Sequence, residues 1–160
     1  LRLKRQTNTL ETPEEYIELA QMALQQYQAA EAKAVLEEGF ARGILGKGAE
    51  AERQKRLLAL ATQRAIDAPK LLAEAEAEAK DGNAMVRAGL AYSGLGQHDK
   101  GIALIQKGLA DKELRYPDDA RLALGMAYLR AGNKAKANEA FRGVKGTDGA
   151  ADLARLWMRT

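Results

Sequence analysis

Apolar residues recur along most of this chain at steps of three and four, the period of helices that bury one face. The first stripe is Tyr16, Leu19, Ala20, Ala23 and Leu24. Ahead of it, Thr12-Pro13-Glu14-Glu15 predicts a helix start: Thr12 accepts from an early backbone N–H, Pro13 suits the first helical position, and Glu15 closes a capping box. Residues 1–11 carry no clear periodicity and are expected to be a mobile lead-in. A turn near Tyr27-Gln28 leads to a second stripe, Ala32, Val35 and Leu36, which ends toward Gly39. Gly43, Gly46 and Gly48 mark a connection, followed by a charged helix over about 49–65 whose apolar residues Leu57, Leu58, Ala61 and Ile66 gather near its end. Asp67-Ala68-Pro69 predicts a new helix start with Asp67 as N-cap. That helix alternates Glu and Ala at Glu74, Glu76 and Glu78 and stops at Asp81-Gly82. Further helices are predicted over about 83–94, 97–109, 118–131 and 133–143. Pro117-Asp118-Asp119 places two negative charges where the helix dipole favours them. Thr147-Asp148-Gly149 is expected to cap a last helix, about 149–158, carrying Leu153, Leu156 and Trp157.

The pattern repeats. Gly89-Leu90-Ala91-Tyr92 returns 36 residues later as Gly125-Met126-Ala127-Tyr128, and Gly96 returns at the same offset as Gly132. The stretch Gly39-Phe40-Ala41-Arg42-Gly43-Ile44-Leu45 aligns with Gly108-Leu109-Ala110-Asp111-Lys112-Glu113-Leu114 at an offset of 69. Tandem self-similarity of this kind reads as an all-α array of antiparallel helix hairpins. Four are expected, at about 13–40, 49–81, 83–109 and 118–143, forming one domain over 12–160. The last helix would close the open end of the core, as terminal elements of repeat arrays do.

These residues resemble the tetratricopeptide repeat, a helix-turn-helix unit of about 34 residues. That family places a small residue in the first helix with an aromatic three positions on, matched by Gly89 with Tyr92 and Gly125 with Tyr128. A small residue enters the second helix with a bulky apolar one four later, matched by Gly101 with Ile105 and Ala137 with Phe141. The first hairpin matches at Ala20, Ala32 and Leu36, with Ala23 where the aromatic is expected. The 49–81 hairpin matches least, with Ala59, Thr62, Leu71 and Ala75 at the equivalent places. The resemblance implies a short right-handed solenoid with a C-terminal capping helix.

Composition narrows the chemistry. Hydrophobic residues make up 46% and charged ones 29%, the balance of an ordinary soluble domain. A net charge of +3 is too small to point to a partner, and its Lys and Arg are spread among carboxylates as on solvated helix faces; nucleic-acid binding is not expected. The densest basic cluster, Arg2-Lys4-Arg5, reads as a solvated, disordered end. There is no cysteine, which removes disulfides, thiol nucleophiles and Cys-based zinc sites. No apolar run approaches the ~20 residues of a membrane span. The chain opens on Leu1 rather than Met, so it reads as a fragment or a processed form; with its Ala-rich composition this suggests a bacterial, exported or periplasmic protein, any export signal lying upstream. His98 is the only histidine and reads as solvated, which leaves no His triad or multi-His metal site. Glu14-Glu15 and Asp118-Asp119 read as dipole compensation. Gly94-Leu95-Gly96 lacks the third Gly of a dinucleotide loop, and Gly146-Thr147-Asp148-Gly149 lacks the Lys-Ser/Thr of a phosphate loop. Glu74, Glu76 and Glu78 point different ways on a helix. No catalytic constellation is found, and no cofactor or metal is expected.

The expected function is therefore a non-enzymatic scaffold or adaptor that holds a protein or peptide. The resemblance places ligands along the concave surface of the first helices. By position this gives Ile17 and Gln21, then Val86 and Leu90, then Leu122, Met126 and Arg130, with Glu14, Leu24, Asn83, Ser93, Asp119 and Leu129 beside them. Ile17, Gln21, Val86 and Leu90 stand where a C-terminal-carboxylate clamp would want Lys and Asn, so apolar contacts with an extended or helical peptide are expected instead, with Arg130 as a polar anchor. The alternative is a self-assembling unit that dimerises through its basic N-terminal region and second hairpin.

Overall fold

The computed structural model describes residues 1–147 and 149–159. Among the described residues the chain is all-α, with helices α1 (Arg2–Gln6), α2 (Pro13–Gln25), α3 (Ala29–Ala41), α4 (Ala51–Glu78), α5 (Gly82–Gly94), α6 (His98–Leu109), α7 (Pro117–Arg130), α8 (Lys134–Arg142) and α9 (Ala150–Trp157). It divides into two compact units, Leu1–Lys70 and Leu71–Thr160. Each stretch closes a core of its own: Leu10, Tyr16, Leu19, Val35, Leu36 and Ala61 cluster within the first, while Leu72 with Tyr92 and Ile105 with Ala127 cluster within the second.

In the first unit α2 pairs with α3. The capping box forms as expected, with Thr12 Oγ1 accepting from Glu15 N at 3.3 Å and Glu15 Oε2 accepting from Thr12 N at 3.4 Å. Gly39 lies where a Cβ would come within 2.8 Å of Leu45 and 3.0 Å of the Tyr16 ring, so the loop after α3 folds tightly back on the hairpin. The lead-in is not free. Residues 2–6 form α1, Leu10 is fully buried, and the basic cluster is neutralised in place. Arg2 donates to both oxygens of Glu31 at 2.8 and 2.9 Å, Arg5 to Glu38 at 3.0 Å, and Lys4 to Glu15.

The expected 49–81 hairpin is also corrected. It is one helix, α4, with Pro69 inside it. Asp67 caps nothing; its carboxylate accepts from Gln63 Nε2 at 3.1–3.2 Å one turn back. Proline removes one backbone hydrogen bond and crowds the carbonyl four residues earlier. Ala68 and Leu72 are buried on either side of it, and that packing carries the helix through.

In the second unit α5 pairs with α6 and α7 with α8, α6 packs on α7, and α9 touches α7 and α8. Four glycines let α5 and α6 approach closely. A Cβ on Gly89 would stand 2.6 Å from Gly101 O, and one on Gly82 would stand 2.6 Å from Gly108 O, with the converse contacts equally short. Gly125 is filled by the Phe141 ring, which a Cβ would meet at 2.2 Å. The turns share one design. Gly96 N bonds Ser93 O and Gln97 N bonds Tyr92 O, while Gly132 N bonds Leu129 O and Asn133 N bonds Tyr128 O. With both glycines at positive φ, these are Schellman ends. The same bonds close α2, Tyr27 N to Leu24 O and Gln28 N to Ala23 O, with Tyr27 at φ 58 in place of glycine. Ala150, Ala154 and Trp157 bury one face of α9, whose N-cap Gly149 makes no side-chain bond. Asp148, expected to share in that cap, lies outside the described residues.

Candidate partner-binding surfaces

Along α2, positions 13, 14, 17 and 21 fall on one face at helical spacing, turned away from the buried stripe of Tyr16, Leu19, Ala20 and Ala23. This face forms one wall of an open groove of about 500 Å³ within the first unit; the other wall is α4, through Arg53, Arg56, Leu57 and Leu60. Ile17 and Gln21 therefore stand together on one surface, as expected, with Glu14 beside them. Ile17 is half-buried and Gln21 exposed. Leu60 remains 44% exposed, an apolar side chain open to a partner. The polar groups are mixed in sign: Arg53 pairs with Glu50 at 3.4 Å, and Glu14 faces the groove from the first turn of α2. Gln54 is buried, its Oε1 accepting from Gly46 N at 2.7 Å, which ties the Gly-rich connection to α4.

The α4 wall was missed because residues 49–81 were split into two helices with no settled register. A signal was present. Glu50, Arg53, Leu57 and Leu60 follow a three-four spacing, the mark of one helical face.

In the second unit Val86 and Leu90 are half-buried against Ile105, Ala123 and Ala127, as Ile17 and Leu57 are against the core of the first, so much of their apolar surface already serves the core. Leu122 is buried and offers a partner nothing. Met126 and Arg130 are half-buried. A smaller cavity, about 370 Å³, lies instead at the end of α4, between Ala73, Glu76 and Ala77 on one side and Met85, Leu104 and Lys107 on the other. None of the seven expected residues lines it.

Glu76 at its edge is already paired through one oxygen. Its Oε2 accepts from Tyr92 Oη at 2.7 Å and from Lys100 Nζ at 2.7 Å, while that ammonium sits 4.0 Å from the Tyr92 ring centroid. The Lys100 and Tyr92 bonds hold the Glu76 carboxyl below its ordinary range, and Glu76 holds Lys100 above its own. Tyr128 repeats the device 36 residues on: Lys136 Nζ lies 5.7 Å from its ring centroid, and its hydroxyl accepts from Gln106 Nε2 at 3.1 Å. Tyr16 in the first unit donates to Glu38 at 3.1 Å and accepts from Arg42 at 2.6 Å, and burial pushes its hydroxyl pKa up, with Glu38 adding to it. In each cluster a hydrogen bond at the hydroxyl and a cation beside the ring hold a packed aromatic in place. His98 is half-buried, its Nδ1 3.5 Å from Ser93 Oγ. Among the described residues no three His, Cys, Asp or Glu gather to hold a metal, and no helix is long and apolar enough to cross a membrane. No protein-family model, no curated protein and no solved structure matches the chain.

Proposed function

We propose that the chain is a non-catalytic, peptide- or protein-binding scaffold module built on the tetratricopeptide plan. The observation that carries the reading is the groove between α2 and α4, where Ile17 and Gln21 meet the exposed Leu60. An open groove along two helices, with apolar Ile17, Leu57 and Leu60 flanked by charges of both signs, suits an amphipathic peptide laid into it. Two features support the plan itself: small residues at the close approaches of α5 with α6, and a shared Schellman turn in three hairpins. On this reading the α5–α6 and α7–α8 hairpins are successive right-handed units, and α9 is their cap.

The test is panning of a random linear peptide library on the intact chain. Selected peptides should bind the Ile17→Glu/Leu60→Glu variant at least ten-fold more weakly while its helical circular dichroism is unchanged. Peptides that bind this variant as tightly as the parent would remove the groove from consideration. If they were instead lost on Leu90→Glu/Met126→Glu, the site would move to the second unit.

A further inference from the structure

The basic residues of α1 are matched one for one by carboxylates of the α2–α3 hairpin. Arg2 pairs with Glu31, Lys4 with Glu15 and Arg5 with Glu38. Yet α1 is five residues long and buries no side chain. A helix this short has no stability of its own, so α1 exists because it has a seat. It joins the body through the exposed Thr7, Asn8 and Thr9, before Leu10 plunges into the core. That joint is tight: Asn8 stands at φ 56, with Asn8 N bonded to Arg5 O and Thr9 N to Lys4 O.

We propose that α1 is an exchangeable arm, and that its seat on α2–α3 accepts the Leu1–Gln6 segment of a second copy. Every copy carries both halves of the match, so two copies exchanging arms rebuild all three ion pairs and need no new contact, the reciprocal geometry that closes a two-fold dimer. A short joint favours such exchange. With α1 kept helical, the joint of residues 7–9 spans about 10 Å when extended, so exchange brings two copies close together. In the parent chain the tethered arm competes for its own seat at an effective concentration of millimolar order, so exchange there belongs to high concentration. Lys4–Glu15 and Arg5–Glu38 are open enough for salt to screen them, Arg2–Glu31 much less so, so salt weakens the exchanged dimer.

Charge reversal removes the competition. One variant carries Arg2→Glu and Arg5→Glu, so its arm is repelled by its own seat. A second carries Glu31→Lys and Glu38→Lys, with the opposite mismatch. Each alone should scatter as a monomer of about the 17.4 kDa chain mass. Mixed one to one at about 100 µM, they should form a heterodimer of twice that mass that weakens toward 0.5 M NaCl, where the Debye length falls to a few ångströms. A mixture that stays monomeric, while all four changes in one chain restore the parent melting temperature, would show that α1 binds only its own body and would overturn the proposal. Glu38 also takes the Tyr16 and Arg42 bonds. If its substitution lowers helicity, the milder Arg2→Glu and Glu31→Lys pair is mixed instead and read the same way.

Discussion

Gly89 and Gly125 occupy repeat-equivalent positions but are held by different neighbours. An added methyl at Gly89 meets the Gly101 carbonyl, backbone that cannot turn aside; at Gly125 it meets the Phe141 ring, which can shift. Overpacking a close approach costs about 1–3 kcal/mol. Gly89→Ala should lie at the upper end of that range and Gly125→Ala at the lower, as read from urea midpoints. Tyr27 is the reverse case. It holds the left-handed position that glycine holds in the other two hairpins and is 70% exposed. Left-handed backbone costs a bulky residue about 1–2 kcal/mol, and glycine returns about 0.5–1 kcal/mol of that as lost chain entropy. Tyr27→Gly should therefore stabilise the first unit by about 0.5–1 kcal/mol. Glu15 adds a pH dependence. Hydrogen bonds from the Glu11 backbone and the Lys4 ammonium hold its carboxyl at about 2, against an ordinary 4.5. A carboxyl lowered on folding contributes stability that is complete above its unfolded value and lost as pH falls toward the folded one. The first unit should weaken between pH 4.5 and about 2, and Glu15→Gln should flatten that slope in acid titrations followed by circular dichroism.

At the scale of elements, α2 was legible down to its cap because the signals are local: Thr12, Pro13 and Glu15 act within one turn. The helix breaks at Gly96 and Gly132 were legible for the same reason, since only the left-handed residue and its neighbours are involved. In α4 the same kind of reasoning failed. Asp67-Ala68-Pro69 has the residues of a helix start, and nothing within a turn says otherwise; burial of Ala68 and Leu72 decides it. Because Pro69 is interior rather than terminal, Pro69→Ala should raise stability, by up to about 3 kcal/mol if the full interior penalty is present. At a true first turn the same change would be neutral or unfavourable. Thermal melts of the two proteins separate these outcomes.

For the whole molecule, the division at Lys70 and Leu71 implies two cooperative transitions rather than one. Trp157 is the single tryptophan and lies in the second unit, so its fluorescence follows that unit alone, whereas far-ultraviolet circular dichroism follows both. The two probes should give non-coincident urea curves, and Gly89→Ala should move the fluorescence midpoint while leaving the other circular-dichroism step in place. Superimposable curves would show a single cooperative body. The groove belongs to the first unit, so a Gly89→Ala protein should still bind groove-selected peptides in denaturant that has already unfolded its second unit.

By itself the sequence determined the helical class, most helix ends, the 36-residue repeat and the pairing of Ile17 with Gln21 on one face. All of these depend on residues a few positions apart, where period and capping chemistry act. The tertiary structure alone decided that α4 runs unbroken, that the chain closes two cores, and that Leu122 is buried while Leu60 is open. It also decided that Arg2 and Arg5 meet Glu31 and Glu38 across 29 and 33 residues of chain. A salt bridge or a core contact at that separation leaves no local pattern, because either partner alone looks like any solvated charge or any apolar position of a helix.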